Sequence, residues 1–220
     1  MERSLDVTQR IHPKNKARSR GFTIVEVLMS LTVLGLGILG LMTLQYTAVN
    51  ANTTATQISV ANAIAQTWSD RLVRDSVTWN NPSQFSANND LANNTLWLKY
   101  ASTKSGTWVA PPDTQVNGVL FSSAFDYLGR DVTLLSPQAV YCVHIMLSQV
   151  PAGNPTSGLV SATIRVFWAK HVLGNPTQMT TWGLNGALCS YGGSLATFGQ
   201  DTANFNWLYT TTSISQARPQ

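Results

Sequence analysis

Apolar and polar positions divide the chain into stretches of different character. From Phe22 to Leu44 it reads FTIVEVLMSLTVLGLGILGLMTL, apolar except for Glu26 and a few hydroxyls and glycines. As a helix these 23 residues span ~34 Å, enough to cross a hydrocarbon layer of ~30 Å. Beyond Leu44 the apolar character narrows to Ala51, Ala55, Ile58, Ala61, Ala65, Trp68 and Leu72. Steps of three and four put these on one helical face, while Thr53, Gln57, Asn62 and Gln66 fall elsewhere. No proline lies between Pro13 and Pro82, so one helix is predicted from Phe22 to about Ser76, ~80 Å long.

Residues 80–95, NNPSQFSANNDLANNT, are rich in Asn and Ser and read as a connecting loop. Strands are then predicted at 96–101, 116–125, 139–149, 159–172 and 203–211. The clearest alternates Tyr141, Val143, Ile145 and Leu147 against Cys142, His144, Met146 and Ser148. In the next, Val160, Ala162, Ile164, Val166 and Trp168 oppose Thr163 and Arg165. Pro151-Ala152-Gly153-Asn154-Pro155 joins the two runs through turn chemistry, which predicts an antiparallel pair. The amphipathic helix needs an apolar surface to pack on, and this sheet supplies it. The expected class is α+β.

Composition sharpens the picture. Charged residues are only 11% of the 220, hydrophobic residues are 44%, and there are seven Trp. Wholesale disorder is excluded, since disordered chains are poor in aromatics and rich in charge. The net charge of +4 sits at one end: residues 1–21 hold Arg3, Arg10, Lys14, Lys16, Arg18 and Arg20 against Glu2 and Asp6. The remaining 199 residues are formally neutral, with 14 − 6 = 8 basic and 10 − 2 = 8 acidic groups. A basic nucleic-acid-binding body is therefore not expected.

The basic run precedes the apolar segment and only neutral polar residues follow it. By the positive-inside rule the N-terminus stays cytoplasmic and the chain beyond Leu44 is exported. A secretory signal with cleavage after Val49-Asn50-Ala51 is the rival, giving a secreted periplasmic enzyme. Its apolar run would be shorter and would not carry Glu26, a carboxylate costing up to ~2.5–3.5 kcal/mol within a membrane helix.

Gly21-Phe22-Thr23-Ile24-Val25-Glu26, preceded by Arg18, Ser19 and Arg20, resembles the class III leader of type IV prepilins and pseudopilins. The resemblance implies cleavage by prepilin peptidase between Gly21 and Phe22, N-methylation of Phe22, and an assembly role for Glu26. The Glu26 carboxylate of one subunit would then neutralise the Phe22 amine of a neighbour. Gly35-Leu36-Gly37-Ile38-Leu39-Gly40-Leu41, Leu44-Gln45, Ala63-Ile64-Ala65 and Asp70-Arg71-Leu72-Val73-Arg74 resemble the minor pilin family called type IV pilus modification protein PilV.

The organisation this implies is a cleaved leader at 1–21, a transmembrane half-helix at 22–44, an amphipathic half-helix at 45–76, and an exported domain at 77–220. The implied partners are prepilin peptidase, the inner membrane, and other major and minor pilins. The implied function is pilus assembly or a priming or tip complex, with a pseudopilin of type II secretion or DNA uptake as the alternative. Phe125-Asp126-Tyr127-Leu128-Gly129-Arg130 is similar to a hairpin phrase of some pseudopilins.

Cys142 and Cys189 are the only cysteines. On the exported side a disulfide is expected, closing a loop worth ~4 kcal/mol, and pilins commonly staple their C-terminal region this way. Buried free thiols, or zinc held with His144 and His171, are the other readings. No catalytic constellation emerges. His144 and His171 lie in apolar strand patterns, Asp113, Asp126, Asp131 and Asp201 are scattered, and no phosphate-cradling glycine loop precedes a helix. A structural, cofactor-free subunit rather than an enzyme is expected.

Overall fold

The computed structural model describes residues 21–80, 90–151, 158–170, 189, 202 and 205–216. The basic leader, most of the turn after Pro151, His171, Asp201 and most of the tail lie outside the described residues. The chain divides into two units, residues 1–51 and 52–220.

Helix α1, Ile24–Asp75, contributes to both. In the first unit every described residue is exposed, from Phe22 at 82% through Leu44 at 68%. Its hydroxyls bond within the helix: Ser30 Oγ donates to the Glu26 carbonyl (2.8 Å), and Thr43 Oγ1 to that of Leu39 (3.0 Å). An apolar segment with no packed neighbours has only its own backbone to satisfy these hydroxyls.

In the second unit α1 buries Ala61, Ile64, Ala65, Trp68 and Leu72. The predicted stripe begins earlier than the buried one, since Ala51, Ala55 and Ile58 are exposed. Gln57, expected to face elsewhere, accepts a hydrogen bond from Trp168 Nε1 (3.2 Å). The α-helix ends at Asp75, one residue before the predicted limit, and a 3-10 turn, Ser76–Asn80, follows.

Two expectations for the next segment are corrected. Within the predicted loop, Leu91–Asn94 form a short helix, α2, whose Asp90 carboxylate caps the Asn93 N–H (3.0 Å). The predicted strand 96–101 is not a strand: it is a turn leading into helix α3, Tyr100–Thr103. The physical reason lies on α1. The Asp75 carboxylate accepts the N–H groups of Leu96 (2.8 Å), Trp97 (2.7 Å) and Leu98 (2.8 Å), donors a sheet ladder would have needed.

The strands that follow are β1 (Trp108–Val109), β2 (Thr114–Val116), β3 (Val119–Phe121), β4 (Ala124–Phe125), β5 (Asp131–Val132), β6 (Tyr141–Gln149), β7 (Leu159–Ala169) and β8 (Phe205–Ser215). The predicted strand 116–125 is thus broken. Asn117 (φ 52°) and Gly118 (φ 78°) close a two-residue β2–β3 hairpin, as left-handed Asn-Gly pairs do. Six strands form one antiparallel sheet ordered β5-β4-β6-β7-β8, with β1 also pairing with β6.

Tyr141 lies opposite Trp168 and Gln149 opposite Val160, the antiparallel pair the alternation predicts. Tyr141, Val143, Ile145 and Leu147, with Val160, Ala162, Ile164, Val166 and Trp168, form the main core with the buried face of α1. The result is an α+β, pilin-like arrangement, the helix packed on an antiparallel sheet. A second cluster, Ala124, Cys142, Phe167, Cys189 and Phe205, occupies the opposite face of the sheet.

Candidate functional site

Gly21 and Phe22 stand immediately before α1, and Thr23 is the residue that caps it. The Glu26 N–H donates to Thr23 Oγ1 (3.3 Å), and the Val27 N–H to the Thr23 carbonyl (3.2 Å). Thr23-x-x-Glu26 is therefore half of a capping box, a pattern readable in the sequence. Glu26 lies in the first helical turn, where the positive end of the helix dipole favours a carboxylate. Among the described residues no cation pairs with it. No charged residue separates Glu26 from Asp70. By length and composition this helix can cross a membrane.

In the second unit α1 is clamped to the sheet by charge as well as packing. Arg71 forms an ion pair with Asp131, whose other oxygen accepts the Ser122 N–H (2.9 Å). The Arg71 guanidinium lies 5.0 Å from the ring centres of both Trp68 and Phe121. A buried guanidinium is tolerated when its charge is paired and its faces stack on aromatics. Sequence reading missed this group, although Arg71 lies one residue before Leu72 on the same buried stretch.

On the opposite face of the sheet Cys142 and Cys189 form a disulfide with a Cα–Cα distance of 5.2 Å. With their sulfurs joined, neither offers a thiolate to zinc. Next to it, His144 is fully buried. Arg165 donates to His144 Nδ1 from Nε (3.1 Å) and Nη2 (2.8 Å), so the ring proton resides on Nε2 and points at the Cys189 carbonyl (3.3 Å). Burial, and then the Arg165 charge, push His144 down to about 3, so it is a neutral structural link rather than a base. Arg165 lies 4.1 Å from the Trp108 ring centre and 5.4 Å from that of Trp207, and burial lowers its pKa.

Asp113 and Asp126 both accept backbone N–H groups. Asp113 accepts the Leu134 N–H (3.0 Å), and Asp126 accepts those of Leu128 (2.9 Å) and Arg130 (2.8 Å) within the β4–β5 turn. Among the described residues no three His, Cys, Asp or Glu side chains are placed to hold a metal.

Residues 16–42 match the family described as the prokaryotic N-terminal methylation motif. The match begins in the basic leader, contains Gly21, Phe22 and Glu26, and ends within the apolar helix. Its N-terminus is thus pilin-like, of the kind shared by type IV pilins and pseudopilins. No curated protein and no solved structure matches the chain.

Proposed function

We propose that this chain is a minor type IV pilin. Residues 22–44 hold the precursor in the bacterial inner membrane with the leader 1–21 in the cytoplasm, and the remainder, including the domain 77–220, is exported. Prepilin peptidase cuts between Gly21 and Phe22 and methylates Phe22. The subunit then joins other major and minor pilins through its N-terminal helix, in pilus assembly or a priming or tip complex. Its role is structural, with no reaction or cofactor of its own.

The observation that supports this most is the coincidence of the methylation motif with the start of α1, where Glu26 is the only charge before Asp70. Cleavage would leave a cationic amine at Phe22 and a carboxylate four residues on, both costly in lipid. Helices of two subunits set side by side turn these two costs into one pair, which makes each subunit complete only beside another. The pseudopilin alternative has the same helix chemistry and differs in the system served.

Mass spectrometry of the mature protein tests the processing step: N-methyl-Phe at position 22 is expected, and a start at Asn52 would overturn it. Glu26→Gln tests assembly. Glutamine serves equally in the capping box, so only the charge is lost. Cleavage should persist while incorporation into sheared filaments falls roughly tenfold or more. Incorporation at the wild-type level would refute the charge-pair account. Deletion, scored separately for surface pili, secretion and DNA uptake, distinguishes a pilin from a pseudopilin.

A further inference from the structure

The Cys142–Cys189 bond is closed over from the side of the last strand. Cys142 lies opposite Phe167 on β7, and Phe167 lies opposite Trp207 on β8. The Phe167 and Trp207 rings stack at 4.8 Å, and Phe205, which opens β8, meets Phe167 edge-on at 5.8 Å. Phe205 joins both cysteines in one buried cluster with Ala124 and Phe167. Cys142 is left 8% exposed and Cys189 1%.

Thiol–disulfide exchange needs an incoming sulfur to reach one sulfur of the bond while the other leaves. A thiol reagent has no path to either sulfur while these neighbours stay packed, so an element must move first. Among the described residues β8 is the strand of this cluster least tied to the rest. It ends the sheet and bonds to β7 alone, whereas β6 is paired with β7 on one side and with β1 and β4 on the other. To the main core it gives Ile214, with Leu208 packed against it. Elements with few buried apolar contacts open at lower free energy than the core.

We propose that β8 gates this disulfide: the bond is made by thiol–disulfide exchange while β8 is off the sheet, and is sealed against thiols and disulfides once β8 seats. In the open chain one cysteine thiolate attacks a disulfide oxidant, R–S–S–R, and releases RS⁻. The second thiolate then attacks the mixed disulfide at the protein sulfur and releases the other RS⁻. The chain loses two electrons, the oxidant gains them, and the two thiol protons end on two RSH. A two-electron oxidation by a disulfide therefore precedes the docking of the last strand. None of this rests on the N-terminal motif, so it and the pilin reading stand or fall separately.

The test uses the full chain in detergent, with dithiothreitol as the probe and freed thiols trapped by iodoacetamide for mass spectrometry. Exchange passes through the same open state in both directions, so reduction reports on formation. Reduction should run roughly a hundredfold slower than in guanidinium chloride. Its rate should follow amide exchange at Thr210 and Thr212, which the Gln216–Gly158 bond and the ladder's alternation assign to bonds with β7. It should not follow the slower exchange at Met146 and Thr163, assigned in the same way by the Val150–Leu159 bond to the β6–β7 ladder. Ile214 lies opposite Val160, seven residues along β7 (~23 Å) from Phe167, so its side chain does not cover the bond. Ile214→Ala loosens β8 from the main core and should speed reduction about tenfold or more, without speeding exchange at Met146 and Thr163. Ile214→Val, a milder cut that keeps the test decisive if the alanine variant misfolds, should give about threefold. Exposed Ser213, changed to Ala, should leave the rate as it is. The proposal is overturned by reduction as fast as in denaturant, by a rate that tracks the β6–β7 ladder, or by a rate that Ile214→Val leaves unmoved.

Discussion

At His144 an ionisable ring sits in a fully buried site because both of its nitrogens are spoken for, by Arg165 on one side and the Cys189 carbonyl on the other. Its pKa of about 3 lies below the ordinary 6.5 of an exposed ring. Between those values the unfolded chain binds a proton that the folded chain refuses, so this contribution is complete above pH 6.5 and is lost as pH falls toward 3. Denaturant titrations should show stability declining by on the order of a few kcal/mol across that window. His144→Gln keeps an acceptor for Arg165 and a donor for the carbonyl but does not titrate, and should flatten the decline. An unchanged slope would place the acid sensitivity in another group. The sequence placed this histidine in an apolar alternation, as a packed or surface residue rather than a base, but nothing local announced Arg165 as its partner, because that contact is made across two strands. Thr23 is the opposite case: its spacing to Glu26 was legible and needed only the capping pattern to be applied.

Among the elements, the end of α1 is fixed by Asp75. Its carboxylate holds three backbone N–H groups, two of them buried, so Asp75→Ala leaves donors without water or partner. A loss of about 3 kcal/mol or more is expected in equilibrium unfolding, with Asp75→Asn intermediate because it keeps one acceptor oxygen. A loss under about 1 kcal/mol would mean the turn at 96–98 is held by packing alone. This interaction also explains why Leu96-Trp97-Leu98 misled: an aromatic and aliphatic run has strand propensity, and a distant carboxylate overrode it. Strands β6 and β7 were legible because alternation over nine and eleven residues leaves one consistent assignment of faces. The β2–β3 hairpin was missed although its Asn-Gly turn was in plain view, since a continuous reading of 116–125 passed over the two residues that require left-handed backbone.

For the whole molecule, the disulfide and the helix clamp act on opposite faces of one sheet. Replacing both Cys142 and Cys189 by Ser frees a loop of 47 residues' separation and should cost ~4 kcal/mol, read as a lower denaturant midpoint that reductant no longer changes. The loss should be less than additive with His144→Ala, which removes the donor to the Cys189 carbonyl that the disulfide also holds in place. An unaltered midpoint would show that the sheet needs no covalent tie. One turn extends this reasoning. At Gly129 the backbone has φ +78°, and a Cβ there would meet Val60 Cγ1 at 3.3 Å and Ile64 Cγ1 at 3.5 Å. Surface connections ordinarily tolerate gain or loss of a residue. Here a single insertion or deletion between Asp126 and Arg130 would shift a side chain into the slot where only bare main chain fits against the helix. This hairpin tip can therefore change its spelling at Tyr127 and Leu128, but not its length.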